Sequence, residues 1–283
     1  MQDAFAHCEG LVRAADRDRF LAALFAPVEH RGALFALYAF NLEIARVREA
    51  VHEPLAGEIR LQWWSDLIAG EPRGEVEANP VAAALRATMA RYRLPVEPIA
   101  ALIAARRFDL YDEPMATLAD LEAYAAGASC GLIAVAARIL AGGRDPDIAA
   151  IARHGGVGHA IAGLLSAFAI HAARGQLYVP IEILDHHGVD RQPLLGGQGT
   201  PELRAALAEM RLHARRHLAA ARDLLAAVPG AVMPALLPVA LAGPTLARMD
   251  RRGYDPFVPV EIAPWRRQWL IWRAARRPAR IFG

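Results

Sequence analysis

From Arg31 to Val51, apolar side chains return at Ala33, Leu37, Phe40, Ile44, Val47 and Val51. Steps of four and three keep them on one helical face, so the stretch predicts a long amphipathic helix. His52-Glu53-Pro54 ends it. A second helix is predicted from about Leu55 to Ala69, carrying Arg60-Leu61-Gln62-Trp63-Trp64-Ser65-Asp66, with Gly70-Glu71-Pro72-Arg73-Gly74 as the loop after it. Asn79 is suited to an N-cap, and Pro80 to the first turn, of a helix reaching about Tyr92. Pro95 and Pro98 begin the next, to about Tyr111. Thr117 caps another, and Ala119 to Ala141 is either continuous or broken near Gly127. After the turn Gly142 to Pro146, Asp147 is expected to cap a helix running into Arg153. Ahead of all these lies a polar start, then a short apolar turn or helix, Phe20 to Ala26, ended by Pro27.

The stretch from Gly156 to Pro180 reads as a buried helix that stops at Gly175 and leaves through Gln176-Leu177-Tyr178-Val179-Pro180. Its small residues, Gly158, Ala162, Gly163, Ala167 and Ala169, allow close approach of neighbours, while Leu164, Leu165, Phe168 and Ile170 fill space. A mobile connection, His186 to Thr200, contains Gly196-Gly197-Gln198-Gly199 but lacks the Gly-Lys-Ser/Thr ending of a phosphate-binding loop. Pro201 to Val228 forms a helix rich in Arg and His, and Val232 to Met249 is broken by Pro234, Pro238 and Pro244. The pattern predicts an all-α chain of roughly ten helices. It shows neither a repeat nor a linker, so residues 1–283 are expected to form one domain.

Composition narrows the function classes. The chain is 55% apolar with a net charge of +2, and its 32 basic residues are all arginine. That balance and the lack of a basic-aromatic repeat speak against a nucleic-acid partner. Two cysteines, Cys8 and Cys130, make no disulfide framework and fit a reducing compartment, with Cys130 read as a small core residue. The acidic N-terminal segment has no apolar signal core, and no continuous apolar run reaches the ~20 residues that span a bilayer. A cytoplasmic location is expected.

Several motifs in fixed order carry a resemblance. The exit Gly175-x-x-Tyr178-x-Pro180, the run Ala36-Leu37-Tyr38-Ala39-Phe40 after Arg31, and Arg60-Leu61-x-Trp63-Trp64 are its main pieces. Asn79-Pro80-Val81, Asp109-Leu110, and Leu121-x-x-Tyr124 with Gly131 complete it. Together, over roughly residues 19 to 180, they resemble the squalene/phytoene synthase family. The resemblance implies an isoprenoid-synthase-type helical bundle around a central cavity. In that register the first acidic motif of the family falls on Ala45, Arg46 and Glu49, beside Asn41. The second falls on Gly163, Ala167, Ile170 and His171.

Those substitutions bear directly on chemistry. Ionising an allylic diphosphate requires Mg²⁺, held by carboxylates against phosphate oxygens. One carboxylate cannot hold such a cluster. The combination resembles a divergent branch of the family, the squalene/phytoene synthase-like assembly factor of respiratory complex I and its bacterial relatives. Phe40-Asn41-x-Glu43 and the Pro180 exit favour that branch. It implies a binding or assembly role with no cofactor, a complex I subunit as partner, and an isoprenoid or lipid as ligand. The alternative is a Mg²⁺-dependent head-to-head prenyltransferase acting on C15 or C20 diphosphates.

Arg31, Arg46 and Tyr178 are the candidates for phosphate or ligand contact, since a guanidinium grips phosphate without metal. The plainer reading of Arg46 and Arg48 is as solvated surface residues near Glu43 and Glu49. His154 and His159, at i, i+5, lack the spacing of a zinc pair and read as core or surface histidines. At the C-terminus, Trp265, Trp269 and Trp272 repeat at helical spacing among Arg266, Arg267, Arg273, Arg276, Arg277 and Arg280, and no acid follows Glu261. A basic, tryptophan-bearing helix over about 264–282 suits contact with an anionic membrane surface, placing the protein peripherally on the inner membrane face. The plainer reading is a closing helix packed on the body.

Overall fold

The computed structural model of the protein describes residues 1–51, 53–71, 76–190 and 196–283. His52, Pro72 to Glu75 in the second loop and Arg191 to Leu195 in the Gly-rich connection lie outside the described residues. The described residues form helices and no strand. They begin with α1 (Gln2–Ala15) and α2 (Arg17–Ala23), then α3 (Val28–Ala45), α4 (Val47–Ala50) and α5 (Pro54–Ala69). Next come α6 (Pro80–Tyr92), α7 (Val96–Arg107), α8 (Leu118–Ala125) and α9 (Gly131–Leu140). The rest are α10 (Ala149–Ser166), α11 (Phe168–Ala173), α12 (Ile181–His186), α13 (Pro201–Asp223), α14 (Ala242–Met249) and α15 (Pro264–Arg276).

Caps set by local chemistry sit where they were expected. Asn79 Oδ1 accepts from the amides of Val81 and Ala82 at 3.0 and 3.1 Å. Thr117 and Asp120 form a reciprocal capping box at the start of α8. Asp147 does not cap: it lies in the left-handed region at φ 53, and α10 starts two residues later, after Ile148. The polar start is helical as α1, whose Ala4, Cys8 and Val12 are buried. The C-terminal helix ends at Arg276 and not near Phe282, because Pro278 removes an amide and only a 3₁₀ turn, Pro278–Arg280, follows.

The helix at the centre is α10. It packs against α13, α8, α9, α14 and a π-helical turn, Ala126–Cys130, that joins α8 to α9. Glycine makes the closest crossing here: a Cβ on Gly156 would lie 2.5 Å from Cys130 Sγ and 2.8 Å from Cys130 Cα. The helical run Leu118–Leu140 is long and apolar enough to cross a membrane, with an 18-residue window of mean hydropathy 1.6, although Asp120, Glu122 and Arg138 leave it no continuous apolar run of ~20 residues. Its most apolar 18-residue window is 67% buried inside the fold, as a core helix would be.

Both long helices that the motifs mark are interrupted by one residue. Arg46 separates α3 from α4 at φ −96, ψ 2, and Ala167 separates α10 from α11 at φ −98, ψ 9. The i to i−4 ladder persists through both, from Arg46 N to Leu42 O at 3.1 Å and from Ala167 N to Gly163 O at 3.1 Å. These are bends, not ends. Beyond α11, Gly175 at φ 73 turns the chain into its exit. Backbone bonds from Met115 N to Leu177 O (3.2 Å) and from Ile181 N to Met115 O (2.9 Å) then pin that exit.

Candidate functional site

A cavity of about 280 Å³ lies against α10, and Gly163, Leu164, Ala167 and His171 contribute to its wall. Opposite them stand Arg19 from α2, Arg106 from α7, Tyr124 from α8 and Ser129 from the π-helical turn. His159 completes the lining one turn below Gly163. No carboxylate lines it among the described residues. Two guanidiniums face the space where the resemblance places acids.

Each guanidinium has a counter-ion behind it. Arg19 Nη1 donates to Asp16 Oδ2 at 2.5 Å, in the turn between α1 and α2. Burial opposes charge on both partners, but their mutual attraction wins, so Asp16 is held below the usual carboxylate range and Arg19 above its usual value. Arg106 Nη1 donates to Asp109 Oδ2 at 3.2 Å and to Tyr124 Oη at 2.9 Å. Asp109 also accepts Tyr178 Oη at 2.7 Å, and Tyr124 Oη at 3.3 Å. Tyr178 is therefore buried in this network and its hydroxyl is committed. Burial, then the neighbouring Asp109 charge, pushes its phenol far upward. Two polar atoms on this side remain without partners, Ser129 Oγ and Arg106 Nε.

Both imidazoles in the cavity are neutral at physiological pH. Burial, with Arg19 close by, lowers His159 from 6.5 to about 4. Burial likewise lowers His171. Unfolded His159 takes up a proton below pH 6.5 while the folded ring resists it down to about 4. Across that window the unfolded state binds more protons, so stability falls as pH falls. The cost is at most about 3 kcal/mol, since the ring opens partly onto the cavity. Urea unfolding at pH 7 and 4.5 should show a larger loss for the wild type than for His159→Gln; equal losses would remove His159 as the cause.

The other expected residues are distributed differently. Asn41 is buried with Oδ1 unpartnered, and it does not line this cavity. Neither do Ala45, Arg46, Glu49 or Ile170; Arg46 and Ile170 are exposed. Arg31 is spent on backbone, donating to Ala26 O and Leu24 O at 2.9 Å each, which closes the end of α2. Glu49 and Arg174 pair at 2.9 Å, joining α4 to the end of α11. That contact does bring the two motif-bearing walls together. Arg19 and Arg106 carry no local mark in the sequence, since nothing in a local pattern marks an arginine for burial, and His159, read as a core or surface histidine, lies in the cavity wall.

Magnesium needs oxygen ligands in near-octahedral array, from one or two carboxylates and substrate phosphates. At the positions the family uses, this chain offers methyls, a glycine, an imidazole and one carboxylate already paired with arginine. These residues do not fit the ion. Both cysteines are buried, and burial pushes each thiol up to about 12, so neither is a nucleophile.

Complex I assembly factor 6 of Rattus norvegicus is 28% identical over 257 residues, covering 91% of this chain and 77% of that protein. Phytoene synthase of Arthrospira platensis is 24% identical and covers 99% of this chain and 94% of its own length. Among solved structures, a dehydrosqualene synthase superposes with TM-score 0.83 at 17% identity, over 97% of this chain and 96% of that one. A squalene synthase from Alicyclobacillus acidocaldarius gives 0.76 at 24% identity, over 90% and 96%. The squalene/phytoene synthase profile matches residues 12–273, and so the chain, acid-free cavity included, belongs to the squalene/phytoene synthase family.

Proposed function

We propose that this protein is a non-catalytic member of its family that serves the assembly of respiratory complex I at the inner face of the membrane. The observation that carries the reading is the cavity wall, where, among the described residues, Arg19 and Arg106 stand and no carboxylate does. A site of that kind attracts an anion but supplies no ligands for the ions that would pull a diphosphate from an allylic carbon. The likeness to assembly factors of complex I supports the same reading. The cavity's proposed occupant is the phosphate end of an isoprenoid or lipid, held by guanidinium forks.

Two measurements test this. Purified protein given farnesyl or geranylgeranyl diphosphate, Mg²⁺ and NADPH is expected to release no pyrophosphate; a C30 or C40 product would overturn the proposal in favour of a transferase. Deleting the gene is expected to lower membrane NADH:quinone activity, and unchanged activity would count as decisively against it.

The membrane contact we assign to α15. Ile271 and Ala274 pack inward, and Arg267 anchors the helix to Asp18. Trp265, Trp269 and Trp272 are left 71%, 46% and 49% exposed. Arg273 lies over the Trp269 ring and Arg276 over Trp272, so the tryptophan face is also cationic. Arg266 is half-buried on the same helix. Near an anionic surface each arginine contributes about 1 kcal/mol. Replacing Arg273 and Arg276 by glutamine should thus weaken binding to phosphatidylglycerol vesicles roughly 30-fold. Binding insensitive to both substitutions and to salt would exclude this face.

A further inference from the structure

Away from the cavity, one helix brings two imidazoles onto the carboxylate of another, with a third histidine behind them. His213 and His217 stand at i, i+4 on α13, and both Nε2 atoms point to Glu122 Oε1 of α8, at 3.1 and 3.4 Å. Two histidines at this spacing lie on one face of a helix, as in helical zinc sites. A tetrahedral ion with ligand bonds of ~2.0–2.1 Å sets its ligand atoms about 3.3–3.4 Å apart. Both measured separations are close to that edge length. The ligand atoms of all three residues lie within 4.8 Å of one another.

The surroundings match the requirement too. His217 Nδ1 is 3.2 Å from His154 Nδ1 of α10, so one ring donates to the other. When His217 is the donor, its Nε2 lone pair is left facing Glu122, as a ligand's must be. Arg153 takes the other carboxylate oxygen, Oε2, at 3.2 Å, and leaves Oε1 to the histidines. His217 is buried, but His213 and Glu122 keep partial exposure, at 17% and 24%, so an ion has a way in past them.

We propose that Glu122, His213 and His217 form a binding site for a zinc-class divalent metal, with His154 as a positioning residue and a fourth position left for water. Such an ion would tie α8 to α13. This site is independent of the cavity and of the assembly role.

The test uses the full-length protein, stripped with EDTA and desalted. Titration with Zn²⁺ against a chromophoric chelator should show one equivalent bound, and Co²⁺ should give the visible absorption of a four- or five-coordinate site. His213→Ala and Glu122→Gln should each weaken binding at least 100-fold, and His154→Ala by about tenfold. Saturating Zn²⁺ at about 100 times Kd should raise Tm by roughly 4 °C. His187→Ala, in the exposed His186–His187–Glu209 group, serves as the control and should change nothing. Failure to bind one equivalent overturns the proposal. So does binding that survives His213→Ala and is lost in His187→Ala. Should a variant fail to fold, the Co²⁺ spectrum of the wild type decides.

Discussion

Replacing Asp109 by alanine will destabilise the protein by about 3–5 kcal/mol, the cost of stranding a buried charge. Asp109 is only 8% exposed and is the shared acceptor for Arg106, Tyr124 and Tyr178. Its removal leaves a half-buried guanidinium whose Nε already lacks a partner, together with a tyrosine hydroxyl aimed at empty space. The bond from the Gln176 side-chain Nε2 to the backbone carbonyl of Asp109 survives, so the exit of α11 stays placed and the loss is electrostatic. For a chain of this length the midpoint should drop by roughly 5–8 °C. Asp109→Asn keeps the volume but not the charge, and it should recover less than half. If alanine costs under about 1 kcal/mol, the network is ornamental and Arg106 is solvated through the cavity.

Gly156→Ala should cost about 3 kcal/mol or more, at the upper end of overpacking penalties. Its added methyl would sit 2.5 Å from Cys130 Sγ, 2.8 Å from Cys130 Cα and 2.9 Å from Cys130 N. A side chain can swing aside, but backbone inside a packed turn cannot. Combining Gly156→Ala with Cys130→Ala removes only the sulfur contact, so the pair should stay nearly as unstable. Full rescue by Cys130→Ala would show that the sulfur alone sets the limit. Denaturant midpoints of the four proteins in this cycle measure the coupling.

Local chemistry announced itself in the sequence, and long-range burial did not. Asn79 and Thr117 were legible as caps because a cap depends on a few adjacent residues. Helix α1 was not legible, since Ala4, Cys8 and Val12 keep a step of four but are small and set among charges. That the family's motif positions keep one carboxylate, Glu49, follows only from the register the resemblance implies. What took over the cavity could not be read: Arg19 and Arg106 are ordinary polar letters until folding sets Asp16 and Asp109 behind them. His213 and His217 did carry a signal in their spacing, which an eye on His154 and His159 passed over.

The Glu49–Arg174 pair affects how α4 and the end of α11 are held together. Acidic walls repel one another until a divalent ion arrives between them, whereas a carboxylate opposite a guanidinium draws its two helices inward with nothing present. Half of each side chain is in water, so this clasp is worth under about 1 kcal/mol and is screened by salt. The approach of α4 to the end of α11 therefore answers to ionic strength.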